Sequence, residues 1–352
     1  MATHARAAAT QRLIEATDFL RLPCISAVAP RSAAPYKEWH HFLIQDGEHL
    51  LLVNFSVSEE PLAVDGPCTW VGRLTWLECN GTTFRGDMLV FPSERLRLSA
   101  GALHVGFGAN AIRFENGRYE LSLELEDGDT LIELTLVPGS PPVLTNNLSL
   151  APGRPLCWLA VHRLAAWGLV RHRGTTRHLR GAPAYHDHNW GRFAWGDDFT
   201  WEWGTLLAEG PVGLSLVRLT DRARSRSTLR SIQLWHGAEV LHAFQDEEVV
   251  IEHHGRARPS HVFKRPGPMA LLHPDTALDV PVRIEIVCRS EDASLRMSLE
   301  LRALAQLLMP DELGRDTVTV LNQCVMDVTL DARVRGTTIH TEAPGVVELI
   351  RA

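Results

Sequence analysis

From Trp39 onward, apolar and polar residues alternate along short stretches, as they do where successive side chains point to opposite faces of a sheet. The run Tyr119-Glu120-Leu121-Ser122-Leu123-Glu124-Leu125-Glu126 alternates throughout. Leu131 to Val137 resumes the pattern after Asp127-Gly128, which predicts a hairpin. His49 to Phe55 is an apolar run that ends in alternation, and Gly66-Pro67, Asn80-Gly81, Gly101 and Asn116-Gly117 fall at strand-and-turn spacing. Further strands are predicted at Trp158 to Leu164, Gly168 to Arg173, Val212 to Leu219, Leu229 to Trp235, Glu239 to Phe244 and Glu247 to His253. Val282 to Cys288, Leu295 to Leu301, Thr317 to Leu330 and Arg333 to Leu349 complete the set.

Three segments break the pattern. Ala2 to Leu22 is Ala-rich, with a loose stripe of Leu13, Ile14, Ala16, Phe19 and Leu20, and reads as a short helix or a frayed arm. Pro138 to Pro155 is rich in Pro, Gly and Asn and reads as a long irregular connection, while Ala303 to Met309 reads as a brief helix stopped by Pro310. Many short strands, few helices and no βαβ rhythm predict an all-β fold of two sandwich or barrel domains. Gly and charge interrupt the apolar pattern between Arg192 and Asp197, which sets the expected domains at 1–194 and 195–352. A ligand site is expected near their junction. With no Gly-rich phosphate loop, dinucleotide and P-loop functions drop out.

Composition narrows the partners. At 352 residues, 45% hydrophobic and 22% charged, the chain can bury ample core and has the balance of a globular protein. A formal charge of -7 argues against nucleic acid or an anionic membrane as the main partner. The Arg222-Ala223-Arg224-Ser225-Arg226 patch is short and Ser-interrupted, a solvated hairpin loop rather than a binding stripe. Six cysteines (Cys24, Cys68, Cys79, Cys157, Cys288, Cys324) lack any CxxC pair and read as reduced, mostly buried thiols, with neither a disulfide framework nor a thiolate zinc site. No basic, then apolar leader and no stretch of membrane-span length is present, so a cytoplasmic location is expected, with no integral membrane segment. Peripheral membrane contact and oligomeric state stay open.

Chemistry concentrates in Tyr185-His186-Asp187-His188-Asn189-Trp190-Gly191 and in Phe199-Thr200-Trp201-Glu202-Trp203-Gly204. As a strand, the first stretch puts Tyr185, Asp187 and Asn189 on one face and His186, His188 and Trp190 on the other. In the second, Phe199, Trp201 and Trp203 point one way, Thr200 and Glu202 the other. A carboxyl, a phenol and an amide between aromatic walls suit acid or base chemistry on an apolar ligand, not phosphate, nucleotide or sugar chemistry. His186 and His188 form an HxH pair whose third and fourth metal ligands would have to come from elsewhere, His162, His40 or His41. Hydrogen bonding between domains is the expected role of the pair, and neither a metal nor a cofactor is expected. His172, His178, His253 and His254 read as surface residues.

Trp158-Leu159-Ala160-Val161-His162-Arg163-Leu164, Gly168, Gly174, Gly181, the Tyr185–Gly191 run and Trp201-Glu202-Trp203 together resemble the hallmark run of the carotenoid 1,2-hydratase (hydroxyneurosporene synthase) and AttH-like family. Glu38-Trp39-His40-His41-Phe42 is similar to that family's opening motif and Gly345-Val346-Val347-Glu348 to its closing one. The resemblance implies two tandem lipocalin-like β-barrel domains and cofactor-free chemistry on a hydrophobic polyene, prenyl or terpenoid-like substrate: hydration, cyclisation, or a Diels–Alder reaction. It implies Asp187 as the acid with Tyr185 beside it, and Trp158, Trp201 and Trp203 as the aromatic wall. Tyr185 and Asn189 are expected to orient the acid and water, and His162 and Phe199 to line the substrate site with the three Trp. Ala160, His162 and His41 depart from the aromatic residues usual at their places, so the pocket is expected to be reshaped. A lipocalin-like cavity would also serve a carrier without chemistry.

Overall fold

Strands dominate because the period-two stretches find partners on both sides, and most are longer than the alternation alone delimits. The computed structural model describes residues 2–22, 34–61, 67–125, 128–151, 154–195, 198–258, 262–264, 279–310 and 318–351. Cys24, Gly66, Glu126, Asp127, residues 152–153 and 196–197, and Thr317 lie outside them. The chain divides into two units, Met1–Leu77 with Asp87–Phe193, and Glu78–Gly86 with Ala194–Ala352.

The first unit opens with helix α1 (Ala2–Thr17), followed by β1 (Tyr36–Asp46), β2 (His49–Pro61), β3 (Cys68–Asn80) and β4 (Thr83–Phe91). Then come β5 (Leu96–Leu98), β6 (His104–Phe107), β7 (Asn110–Glu115), β8 (Arg118–Glu124) and β9 (Thr130–Pro138). β10 (Val143–Ala151), β11 (Arg154–His172) and β12 (Thr175–Arg192) complete it. The sheet order is β4-β3-β2-β1-β12-β11-β9-β8-β7-β6-β5, with β10 on β11, and the hairpin tip Glu78–Gly86 is grouped with the second unit. Phe107 on β6 packs against Phe91 on β4 at 5.6 Å and Phe55 on β2 at 5.2 Å between ring centroids. The two ends of the sheet therefore meet, as in a barrel. Phe42, Val53, Phe55, Phe107, Leu121, Ile132, Leu159 and Val161 fill its interior. Each such side chain contributes roughly 1.5–3 kcal/mol on burial.

The second unit holds β13 (Thr200–Leu206), β14 (Val212–Thr220), β15 (Ser227–His236), β16 (Glu239–Gln245) and β17 (Val249–His254). It continues with β18 (Val262–Lys264), β19 (Arg283–Arg289), β20 (Ala293–Pro310), β21 (Val318–Val334) and β22 (Thr337–Arg351). Its order is β16-β15-β14-β13-β22-β21-β20-β19-β17, with β18 on β20. Arg230 on β15 donates to the Val249 carbonyl on β17 at 3.1 Å, so this sheet also curls round toward its far edge. Leu214, Ile232, Phe244, Ile286, Leu299, Val347 and Leu349 belong to its core. The expected fold class, all-β with two lipocalin-like domains, is the one found. Among the described residues no helix is long and apolar enough to cross a membrane.

One expectation left open is decided, and three change, at Pro138 to Pro155, at Ala303 to Met309 and at His172. The Ala-rich start is a helix, and Ile14 and Leu20 anchor it and the segment after it in the first core. The segment read as an irregular connection contains β10, paired antiparallel with β11 through Val143↔Ala160 and Leu144↔Leu159, with register shifts that accommodate its irregular sequence. Ala303 to Met309 is strand, not helix: it lies within β20 and pairs residue for residue with β21. Ala303 to Leu307 are buried on both faces, so the period of two is invisible in their sequence. Arg222 to Arg226 forms the turn between β14 and β15, and Cys79, Cys157, Cys288 and Cys324 are buried free thiols with Cys68 half-buried. His172 is buried rather than at the surface, bonded to Thr130 Oγ1 at 2.7 Å and packed on Trp76 at 5.5 Å.

Candidate active site

β12 runs between β1 and β11, and its register fixes which motif residues share a face. His41 pairs with Asp187, Leu43 with Tyr185 and Trp39 with Asn189 on one side, and Trp158 with Asn189 and Ala160 with Asp187 on the other. Tyr185, Asp187 and Asn189 thus share the sheet face turned away from the core that Phe42, Leu159 and Val161 fill. All three are buried, and Trp158 is half-buried. Asn189 donates from Nδ2 to Asp187 Oδ1 at 2.6 Å. The His162 ring lies 5.7 Å from that of Tyr185, and His41 Nδ1 is 3.5 Å from Asn54 Nδ2. Burial pushes both imidazoles down to about 3, so His41, further lowered by His186, and His162 are neutral at pH 7. Gly191 closes the motif for a steric reason: a Cβ there would sit 2.2 Å from the Pro155 carbonyl oxygen.

The opposite face of β12 carries the HxH pair, and its partners lie inside the first unit, not between domains as expected. α1 ends where the Asp18 N–H donates to the Ile14 carbonyl at 2.7 Å, and Asp18 enters the core. His186 Nε2 is 3.0 Å from Asp18 Oδ2 and its Nδ1 donates to the His41 carbonyl at 3.1 Å. His188 bridges two carboxylates, Nδ1 to Asp18 Oδ1 and Nε2 to Glu38 Oε1, each at 2.9 Å. Tyr119 donates to Asp18 at 2.7 Å, while Glu38 receives Tyr36 Oη and the Arg21 N–H at 2.8 Å each and the Leu22 N–H at 3.3 Å. Burial alone would raise Asp18, but His186 and His188 hold it well below the usual carboxylate range. His188 moves the other way: burial lowers it, and the bonds to Asp18 and Glu38 raise it on balance.

The aromatic strand belongs to the second unit. Trp203 pairs with Glu348 on β22, and Gln323 on β21 pairs with Glu348 from the other side. Trp201, Trp203, Gln323 and Glu348 therefore share the face opposite Val347, Leu349 and Cys324, which belong to the core. Trp201 Nε1 donates to Glu348 Oε1 at 2.7 Å, and Gln323 Nε2 donates to Oε2. Trp195, Phe199 and Trp201 form an edge-packed cluster, with centroids 5.1 Å apart for Trp195–Trp201 and 5.4 Å for Trp195–Phe199. Burial pushes the Glu348 carboxyl up to about 7 against the two bonds that favour its charged form. Among the described residues no cation pairs with it.

Glu202 takes the core-side face of β13 and has the opposite environment. It receives Arg351 at 2.9 Å and Arg218 at 3.1 Å, and His253, a surface residue as expected, lies 3.3 Å away. Burial would raise it, but His253, Arg351 and Arg218 bring it down to about 2. Two glutamates on neighbouring strands are thus driven apart, one a permanent anion and one an acid near neutrality. Sequence reasoning assigned no role to Glu348 because its motif places it beside Val347 with no titratable neighbour; only the pairing across β13, β22 and β21 supplies Trp201 and Gln323. Asp18 and Glu38 were missed likewise, since 170 residues separate Asp18 from His188.

No sequence-family profile matches the chain, and no curated protein matches its sequence. Solved structures do resemble it in shape. A Nitrosomonas europaea protein described as a candidate AttH superposes with a TM-score of 0.60 at 12% identity, over 94% of this chain and 98% of that one. Kievitone hydratase from Nectria haematococca gives 0.57 at 14%, over 95% and 96%. CghA gives 0.53 at 15%, over 95% and 93%, and CghA with Sch210972 gives the same score. At these identities the likeness is one of fold, and it matches the architecture expected from the AttH-like resemblance.

Proposed function

We propose that the chain is a hydratase or cyclase that protonates an alkene of an apolar polyene, prenyl or terpenoid-like substrate from a buried carboxyl. The observation that carries this is Glu348: burial without a cation partner keeps its carboxyl up to about 7, and it sits beside Trp201 and Trp203 on a face outside the core. An acid that must protonate a weak base such as an alkene has to hold its proton at working pH, and burial among apolar groups is how a carboxyl does so. The proton passes to an alkene carbon and leaves a tertiary carbocation. Water then adds and returns a proton to the carboxylate, or a second alkene attacks and the ring closes with proton loss. Indole faces stabilise such a cation by ~2 kcal/mol or more in a dry site. The likeness in fold to a kievitone hydratase supports the reaction class.

Asp187 is the second reading of the acid. It is buried, held by Asn189 and set among Tyr185, Trp158, His162 and the neutral His41. Glu348→Gln and Asp187→Asn, assayed separately against prenylated phenols, linear polyenes and terpenoid alkenes, decide between them. The acid's amide should lose ~10²–10⁴-fold in turnover while substrate affinity persists. Near wild-type turnover in both variants would end the proton-transfer reading and leave preorganisation of the substrate. Binding with no product in any form would mark a carrier.

A further inference from the structure

The cluster at the end of α1 holds more donors than its hydrogen bonds use. His40 pairs with His188 across β1 and β12, is 1% exposed, and stacks on the His188 ring at 4.0 Å and the His186 ring at 5.7 Å. Neither of its ring nitrogens has a hydrogen-bond partner among the described residues; Nδ1 faces Asp18 Oδ1 across 3.8 Å. Leaving a buried polar atom unpaired costs roughly 1–3 kcal/mol, so an imidazole buried with both nitrogens unmatched needs a reason. One donor atom each from Asp18, His40 and His186 lies within 4.8 Å of the others, as do those of Glu38, His40 and His188.

We propose that Asp18, His40 and His186 bind a divalent metal ion of the zinc type. Imidazole and carboxylate donors suit zinc, whose tetrahedral ligands lie about 3.4 Å apart when each is about 2.1 Å from the ion. The spacings here are of that order. Metal-binding histidines characteristically direct their other ring nitrogen to a carbonyl or carboxylate. His186 Nδ1 already donates to the His41 carbonyl, while Tyr119 and His188 hold the two oxygens of the Asp18 carboxylate. Charge agrees: two carboxylates, Asp18 and Glu38, balance one divalent ion with the imidazoles neutral. Every donor is buried away from solvent, so the ion's role is to fasten the segment after α1 to β1 and β12 rather than to react. The expectation of no metal rested on the missing third ligand of the HxH pair, which His40 and Asp18 supply. This site stands apart from the proposed acid chemistry.

The test uses the full chain, free of any affinity tag, unfolded with chelator and refolded with or without Zn²⁺. About one zinc per chain should survive gel filtration, with a higher melting temperature than the zinc-free sample. His40→Phe keeps the stacked ring and deletes both nitrogens. It should lower bound zinc tenfold or more and abolish the zinc-dependent rise, and Asp18→Asn should do the same. Without a metal, His40→Phe replaces an unsatisfied imidazole by an apolar ring and should leave the melting temperature equal or higher. That result, zinc retained by both variants, or a wild-type chain that neither retains zinc nor is stabilised by it overturns the proposal. If neither variant folds, the wild-type comparison decides alone.

Discussion

Trp201 Nε1 donates to Glu348 Oε1 at 2.7 Å, joining an indole and a buried carboxyl across the adjacent strands β13 and β22. The bond orients the carboxyl along the aromatic face, and burial sets how tightly it holds its proton. Each consequence is open to measurement without knowing the substrate.

The Glu348 carboxyl, at about 7, stands above its ordinary 4.5. A group raised on folding contributes its full stability below the unfolded value and loses it as pH climbs through the folded one. Wild-type stability should therefore decline from about pH 5 to about pH 8 by up to ~3 kcal/mol. Glu348→Gln removes that slope and should gain on the wild type toward alkaline pH. Denaturant melts that stay parallel across this range would contradict the assignment.

Trp201→Phe deletes the donor and keeps an aromatic ring. Because that bond favours the charged form, its loss should move the Glu348 midpoint further up, by roughly a unit. The readout is the pH at which the stability slope centres. An unmoved midpoint means that the bond to Trp201 does not act on the carboxyl.

Glu202 should behave in the reverse sense. Its carboxyl, at about 2, contributes stability above the usual 4.5 that is lost as pH falls toward 2. Glu202→Gln strands Arg351 in the core and should cost about 3–5 kcal/mol at neutral pH, with a shallower acid limb. A loss under about 0.5 kcal/mol, the size expected of an exposed pair, would show that the network is solvated.

Much of this was legible in the sequence. Alternation gave the strands and the faces of Tyr185 to Trp190, because one face of that strand meets an apolar core and the other does not. Ala303 to Met309 was misread for the opposite reason: burial on both faces erases the period. Glu348, Asp18 and Glu38 were beyond reach. Each takes its chemistry from residues far off in the chain, and only strand register brings Trp201 and Gln323 to one, or His186 and His188 to another. His40 was visible as a spare donor, but not that β1 stacks it on the HxH pair.

The most direct test of proton transfer is to run the reaction in D₂O on an apolar alkene substrate found in the panel above and to follow carbon-bound deuterium by mass spectrometry and NMR. The acid mechanism places about one deuterium on carbon in each product molecule, and Glu348→Gln should suppress product and label together. Product formed at the wild-type rate without carbon-bound deuterium would mean that no proton reaches the alkene, and the mechanism would be wrong.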